Sequence, residues 1–213
     1  MKLTRVITAA LLAGTVAAPA FAGDDAVLNS YSHTGSKGKL KVTLYGQVNP
    51  AMIYVDDGLD SALFFAMNDA SSDRIGLKAK GKIDDNWSGG AKIEFQFENS
   101  ASDKIRFDNA SSGVGTTPDM RKLEFWLTRK GFGKISLGLG DMASNGSAES
   151  DLSGTKSLGY ANVDAHLEDV HFTANGARTT SQIEDFIKVS DGHSRQRRVR
   201  FDTESFNGFS FAA

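Results

Sequence analysis

His166 and His171 stand five apart, whereas side chains share a helix face at a spacing of three or four. With no third-ligand motif beside them, they do not read as a metal site. Asp56-Asp57-Gly58-Leu59-Asp60 is rich in carboxylates but lacks the spacing of an EF-hand loop. Asp84-Asp85 and Glu168-Asp169 are pairs of the type used in acid–base work, yet they fall in turn-like or loop-like stretches where solvated charge is ordinary. No Gly-x-Ser-x-Gly elbow occurs, and Gly113-Val-Gly115 and Gly138-Leu-Gly140 lack the third glycine and following helix of a dinucleotide site. The chain has no cysteine, which removes thiolate ligands, thiol nucleophiles and disulfides. Neither enzyme chemistry, a cofactor nor a metal is expected.

What remains is electrostatic. Basic residues recur at every second position of several segments: Lys41, then Arg74, Lys78 and Lys80, then Arg198 and Arg200. Acids gather in one long stretch, where Asp141, Glu149, Asp151, Asp164, Glu168, Asp169, Glu184, Asp185 and Asp191 outnumber Lys156, Arg178 and Lys188.

The segments that must position the basic residues alternate with period two. Leu40, Val42, Leu44, Gly46 and Val48 interleave with Lys39, Lys41, Thr43, Tyr45 and Gln47. The same alternation runs through Arg74–Ile83, Ala91–Glu98, Lys122–Thr128, Lys134–Gly140 and Arg198–Asp202, and restarts at Phe209 and Phe211. Seven strands are expected, the seventh unfinished. Short turn-like links (Asp84–Gly89, Lys130–Gly133, Thr203–Gly208) alternate with long ones, roughly Pro50–Ser71, Asn99–Asp119 and Met142–Ser194. Short turns at one end and long loops at the other describe an up-and-down transmembrane barrel. A secreted β-sandwich also alternates, but loops of about 20 to 50 residues are uncommon in one. Within the longest link, Ala161–His171 can form a short helix, with Val163, Leu167 and Val170 on one face and Asp164, Glu168 and His171 on another.

Length and composition agree. The 213 residues, 40% hydrophobic and 23% charged, exceed what a disordered chain carries, and the 22 glycines favour turns over long helices. The N-terminus has the order of a secretory signal: Lys2 and Arg5, an uncharged run from Val6 to Ala18, then Ala20-Phe21-Ala22. That run is too short to span a bilayer as a helix. Cleavage after Ala22 removes two bases and no acid, taking the net charge from −2 to −4. Such a chain is not a nucleic-acid binder. The expected organisation is a signal peptide at 1–22, a polar lead at 23–38 and a β-rich body at 39–213.

Val42-Thr43-Leu44-Tyr45-Gly46-Gln47 and Ser72-Asp73-Arg74-Ile75-Gly76-Leu77-Lys78 resemble the first two strands of the general Gram-negative porins. Gly131-Phe132-Gly133-Lys134-Ile135-Ser136-Leu137-Gly138 resembles their turn into strand five. Asp151-Leu152-Ser153-Gly154-Thr155 resembles the inward loop of the proteobacterial branch. Arg198 to Ser210 is similar to the strand six–turn–strand seven segment. The matches fall in family order over about Lys39–Ala213.

The resemblance implies an all-β, antiparallel transmembrane barrel of the 16-stranded type, present here as its first seven strands. It implies a homotrimer in the outer membrane, in contact with lipid and lipopolysaccharide, that passes small hydrophilic solutes and ions. The chain is expected to be a C-terminally truncated fragment, since the family's terminal aromatic residue is absent. On the family's pattern, the loop at about 142–194 folds inward and sets Glu149, Asp151, Asp164, Glu168 and Asp169 against a basic wall of Lys41, Arg74, Lys78, Arg198 and Arg200, with a cation preference. Gln47 and Leu139 stand where many members carry a base. Tyr45, Tyr54, Trp87, Trp126, Phe132 and Phe206 suit interfacial girdles, although parity puts Trp126 on the polar face. The alternative is a secreted or periplasmic β-rich protein binding carbohydrate or acting as an adhesin; it would bury the faces of Leu40, Val42, Leu44 and Ile93, Phe95, Phe97 that a porin gives to lipid.

Overall fold

The computed structural model describes residues 8–10, 31–34, 40–97, 100–108, 118–147, 164–186 and 192–213. The rest of the signal segment and lead, together with Glu149, Asp151 and the motif at 151–155, lie outside the described residues. Among the described residues twelve strands form, in chain order: β1 Thr8–Ala10, β2 Tyr31–Thr34, β3 Leu40–Gln47, β4 Pro50–Asp56, β5 Ser61–Met67, β6 Asp73–Lys82, β7 Trp87–Phe97, β8 Asp119–Arg129, β9 Gly133–Asp141, β10 His171–Ala174, β11 Ala177–Gln182 and β12 Arg195–Thr203.

The main sheet is antiparallel, in the order β12-β9-β8-β7-β6-β3-β2. Apart from β2, its strands are the alternating segments of the sequence, each beside its neighbour in chain order. Beyond β12 the chain turns at Asn207-Gly208 and runs back along that strand, with Phe201 exchanging backbone hydrogen bonds with Ala213. The sheet is open, with β2 on the free edge of β3, as a piece of a larger barrel would be.

Its burial is inverted relative to a soluble protein. On the face of apolar parity Leu77 is 48% exposed, Phe125 56% and Val199 69%, and Leu40, Leu44, Ile93, Leu127, Ile135 and Leu137 are exposed with them. On the opposite face Tyr45 and Glu94 are buried. Among the described residues no second sheet covers the apolar face, so the sandwich alternative is not met. A barrel wall in lipid has this pattern.

The structure corrects the long links. Pro50–Ser71 is not a loop: β4 and β5 form a hairpin closed at Asp57–Asp60, with β1 on the free edge of β4. Gln47 lies opposite Arg74 while Pro50 lies opposite Met67, so the β5–β6 side carries four more residues between these pairs. They form a 3₁₀ turn at Asp69–Ser71 and keep even parity, so Leu63 and Phe65 stay on the same outward face as Ile75 and Leu77. Of the helix expected over Ala161–His171, Asp164–Leu167 forms α1 and ends there, because His171 already opens the β10–β11 hairpin; 161–163 lie outside the described residues. The hydrophobic core lies outside the barrel wall. Ile53, Val55 and Ala66 from the first hairpin pack with Ile105, Val170 and Ile183 from the other two links. This cap joins all three long connections at one end of the sheet.

Candidate functional site

Hydrogen-bonded register lays the polar face out in rows across the strands. One row reads Thr43, Lys78, Lys92, Glu124, Gly138, Arg198; the next, towards the cap, reads Tyr45, Gly76, Glu94, Lys122. Glu94 is the hub. Its carboxylate accepts the Tyr45 hydroxyl at 2.6 Å and pairs with Arg121 at 2.8 Å and Lys92 at 3.2 Å. Lys92 also lies 5.0 Å from the Tyr45 ring centroid, a cation–π contact. The Tyr45 ring crosses the strand over Gly76, where a Cβ would collide with it.

Arg121 reaches this hub through a β-bulge. Lys122 pairs with Glu94 in register but Met120 pairs with Phe95, so an extra residue enters β8 and two consecutive cations share the polar face. Without the bulge, strict alternation would turn Arg121 towards the apolar side. Its guanidinium also donates to Gln96 at 2.7 Å and to Ser72 at 3.2 Å. Further across, Lys122 pairs with Asp141. Arg198 spans the gap left by Gly140 to pair with Glu124 at 2.6 Å, and it donates to the Asp141 carbonyl at 2.7 Å.

Lys41, Arg74, Lys78, Arg198 and Arg200 share one face of the sheet. Arg74 donates to the Ser71 hydroxyl at 2.7 Å and the Ser72 carbonyl at 3.1 Å, which ties the wall to the 3₁₀ turn. Gln47 braces the same turn through the Ser71 and Ser72 carbonyls, each at 2.8 Å. Arg200 pairs with Asp202 and donates to the Met142 carbonyl at 2.7 Å. Lys41 lies opposite Lys80, and Lys78 opposite Lys92. One aromatic residue is corrected: Tyr45 belongs to the charged face, not to a girdle; Trp126 packs over Gly90 on the polar face, where parity puts it. Phe132 and Phe206, at the short turns, are exposed as girdle residues would be.

The acids of the longest link have other partners. Glu168 pairs with Lys104 at 3.1 Å and Asp169 with the same ammonium at 3.7 Å. Asp164 lies in α1, beside these two in sequence. Arg178 pairs with Asp57 at 2.6 Å and Asp60 at 2.7 Å, while Thr173 donates to the Asp57 carbonyl. Burial alone would raise the Asp57 carboxyl; the Asp60 and Leu59 amides and the Arg178 guanidinium outweigh it and hold it below the ordinary range. Asp103, beside Lys104, is raised by burial.

The charged face, the lipid-compatible face behind it and the up-and-down order are properties of a porin wall. The sequence profile of the Gram-negative porins matches residues 8–213. This chain belongs to that family. No curated protein and no solved structure matches it. Membership supports a porin-type function for this chain. Among the described residues no group of side chains has the arrangement of a metal site. The sequence reading missed Glu94, Arg121, Lys122 and Glu124, which carry the cross-strand pairs. Parity put Glu94, Lys122 and Glu124 on the polar face, but their partners depend on register, and Arg121 depends on the bulge.

Proposed function

We propose that this porin lines a water-filled channel through the outer membrane and passes small hydrophilic solutes and ions by diffusion, as one subunit of a homotrimer seated among lipid and lipopolysaccharide. Residues 1–22 direct export; cleavage after Ala22 would also remove β1 from the edge of β4. One observation carries the reading: the apolar face is exposed while the opposite face holds a cross-strand network of buried and half-buried charge. Lipid accepts the first and water the second.

In this reading Lys41, Arg74, Lys78, Arg198 and Arg200 line the lumen, and Glu94, Arg121 and Lys122 join them. Their charge and size set permeation. Glu149, Asp151, Asp164, Glu168 and Asp169 are the acids of the constricting loop, and Glu168 and Asp169 reach it from the cap. Their pull on cations is expected to be weaker than the sequence implied, because Lys104 offsets part of the charge of Glu168 and Asp169. The test is conductance in planar bilayers, with swelling of sugar-loaded liposomes beside it. Stepwise conductance and sugar entry are expected; intact insertion with neither would refute channel formation.

A further inference from the structure

Two short strands lie along one edge of the sheet. β3 and β4 follow each other with only Val48 and Asn49 between them, and on one side they pair with β6 and β5. On the other side β2 pairs with β3, from Tyr31 opposite Leu44 to Thr34 opposite Lys41. β1 pairs with β4 on that same side, from Thr8 opposite Asp56 to Ala10 opposite Tyr54. Both pairings are antiparallel, so β1 and β2 run the same way along the edge. Twenty residues separate Ala10 from Tyr31, beside the nine that separate Leu44 from Tyr54, which is ample for one chain to reach both places.

Neither strand suits a permanent place in a barrel wall. β1 has three residues and β2 four, where a spanning strand needs about 9 to 11. His33 also stands at the end of a row that continues through Val42, Ala79, Ala91, Phe125, Leu137 and Val199. That row belongs to the apolar face, and an ionisable residue is costly in it once the face meets lipid. The far edge differs. Beyond β12 the returning segment carries Phe209 and Phe211, exposed apolar residues in the alternation of the wall. Short covering strands are how a sheet in water blunts an edge that would otherwise pair with another chain.

We infer that β1 and β2 are an edge guard of the exported precursor. Before insertion they occupy the outer edge of β4 and β3 and keep it from pairing with the same edge of a second copy of this chain. In the membrane they give way to a strand that lipid accepts. The expected cleavage after Ala22 falls between the two, so processing frees the β4 part of the edge and leaves β2 on β3. The inference rests on reading the sheet as a porin wall and residues 1–22 as an export signal.

The test uses the full chain in uncharged detergent micelles, which cover the apolar face. Ser32→Cys with Thr43→Cys puts thiols at directly opposite positions in a chain that has no cysteine, and mild oxidation is expected to close an intrachain disulfide. Ser32→Cys with Thr128→Cys, on β8, should not close one; equal yields in the two pairs would overturn the guard. Thr43→Cys alone, labelled with pyrene maleimide, gives excimer emission when two β3 edges lie side by side. Adding Ala9→Pro, Ala10→Pro, Ser32→Pro and His33→Pro removes donors whichever amide of each adjacent pair faces the edge, and excimer emission is expected to rise about threefold or more. Ser32→Gly with His33→Gly, a milder weakening of β2, should raise it in the same direction by less. No rise in either variant would overturn the guard. A guarded edge without conductance after insertion refutes the channel alone; conductance with excimer emission unchanged by the prolines and glycines refutes the guard alone.

Discussion

Glu94 is 2% exposed and faces three cations or donors: the Tyr45 hydroxyl, Arg121 and Lys92. Neutralising it leaves half-buried positive charge without a counter-ion, whereas removing the tyrosine hydroxyl deletes one hydrogen bond. Glu94→Gln is therefore expected to lose about 2–4 kcal/mol and Tyr45→Phe about 1 kcal/mol, read as shifts of the urea midpoint in lipid vesicles. Asp57 makes a pH-dependent contribution of the opposite kind from that of Asp103. Because its folded carboxyl is depressed, its stabilisation is complete above the unfolded value of about 4 and disappears as pH falls through the lower folded value. Asp103 is raised, so it favours the folded cap below its folded value and opposes it as pH rises above. Hydrogen exchange of β10–β11 between pH 7 and pH 3 should show Asp57→Asn flattening the acid loss and Asp103→Asn steepening it. Equal profiles in both variants would contradict these roles.

At the scale of elements, the cap is held by one apolar cluster, by the Lys104 ion pairs with Glu168 and Asp169, and by one forked ion pair. Arg178 bridges Asp57 and Asp60 and lies 4.8 Å from the Phe107 ring centroid. Arg178→Ala is expected to release the β10–β11 hairpin locally, with faster amide exchange at Phe172–Ser181 and a loss of about 1–3 kcal/mol. Ile53→Ala should do the same through a cavity, at about 2–4 kcal/mol. Neither change should disturb exchange in β7 or β8; a global loss would mean that cap and wall fold as one unit. These elements also show what the sequence discloses. β3, β6, β7, β8, β9 and β12 each present one face to lipid and one to the polar side, so period two marks them. β5 does not alternate, because Phe64 and Ala66 pack towards the cap core while Leu63 and Phe65 are exposed apolar residues on the other side. Pro50 at the start of β4 reads as a break, although the first residue of a strand tolerates proline. Val170 is legible as one end of an apolar face with Leu167, but only long-range packing brings it together with Ile183 and Ile105. The site divides in the same way. Parity put Lys41, Arg74, Lys78, Arg198 and Arg200 on the polar face, but the partners of Glu168, Asp169 and Arg178 lie across other connections and have no sequence periodicity.

At the scale of the whole molecule, the account stands on the sidedness of one sheet: Leu77, Phe125 and Val199 towards lipid, Lys78, Lys92 and Arg198 towards water. The chain contains no cysteine, so single cysteines can be placed without a background. The most direct measurement introduces Leu77→Cys and Lys78→Cys separately into the full chain in proteoliposomes and compares their reaction with a membrane-impermeant maleimide. Adjacent residues on a strand point to opposite faces, so neighbouring positions should differ sharply. Cysteine at 78 is expected to react readily; cysteine at 77 should be protected, and a bimane attached there should be quenched by brominated lipid. Equal labelling at both sites, or protection at 78 with reaction at 77, would contradict the porin wall described here.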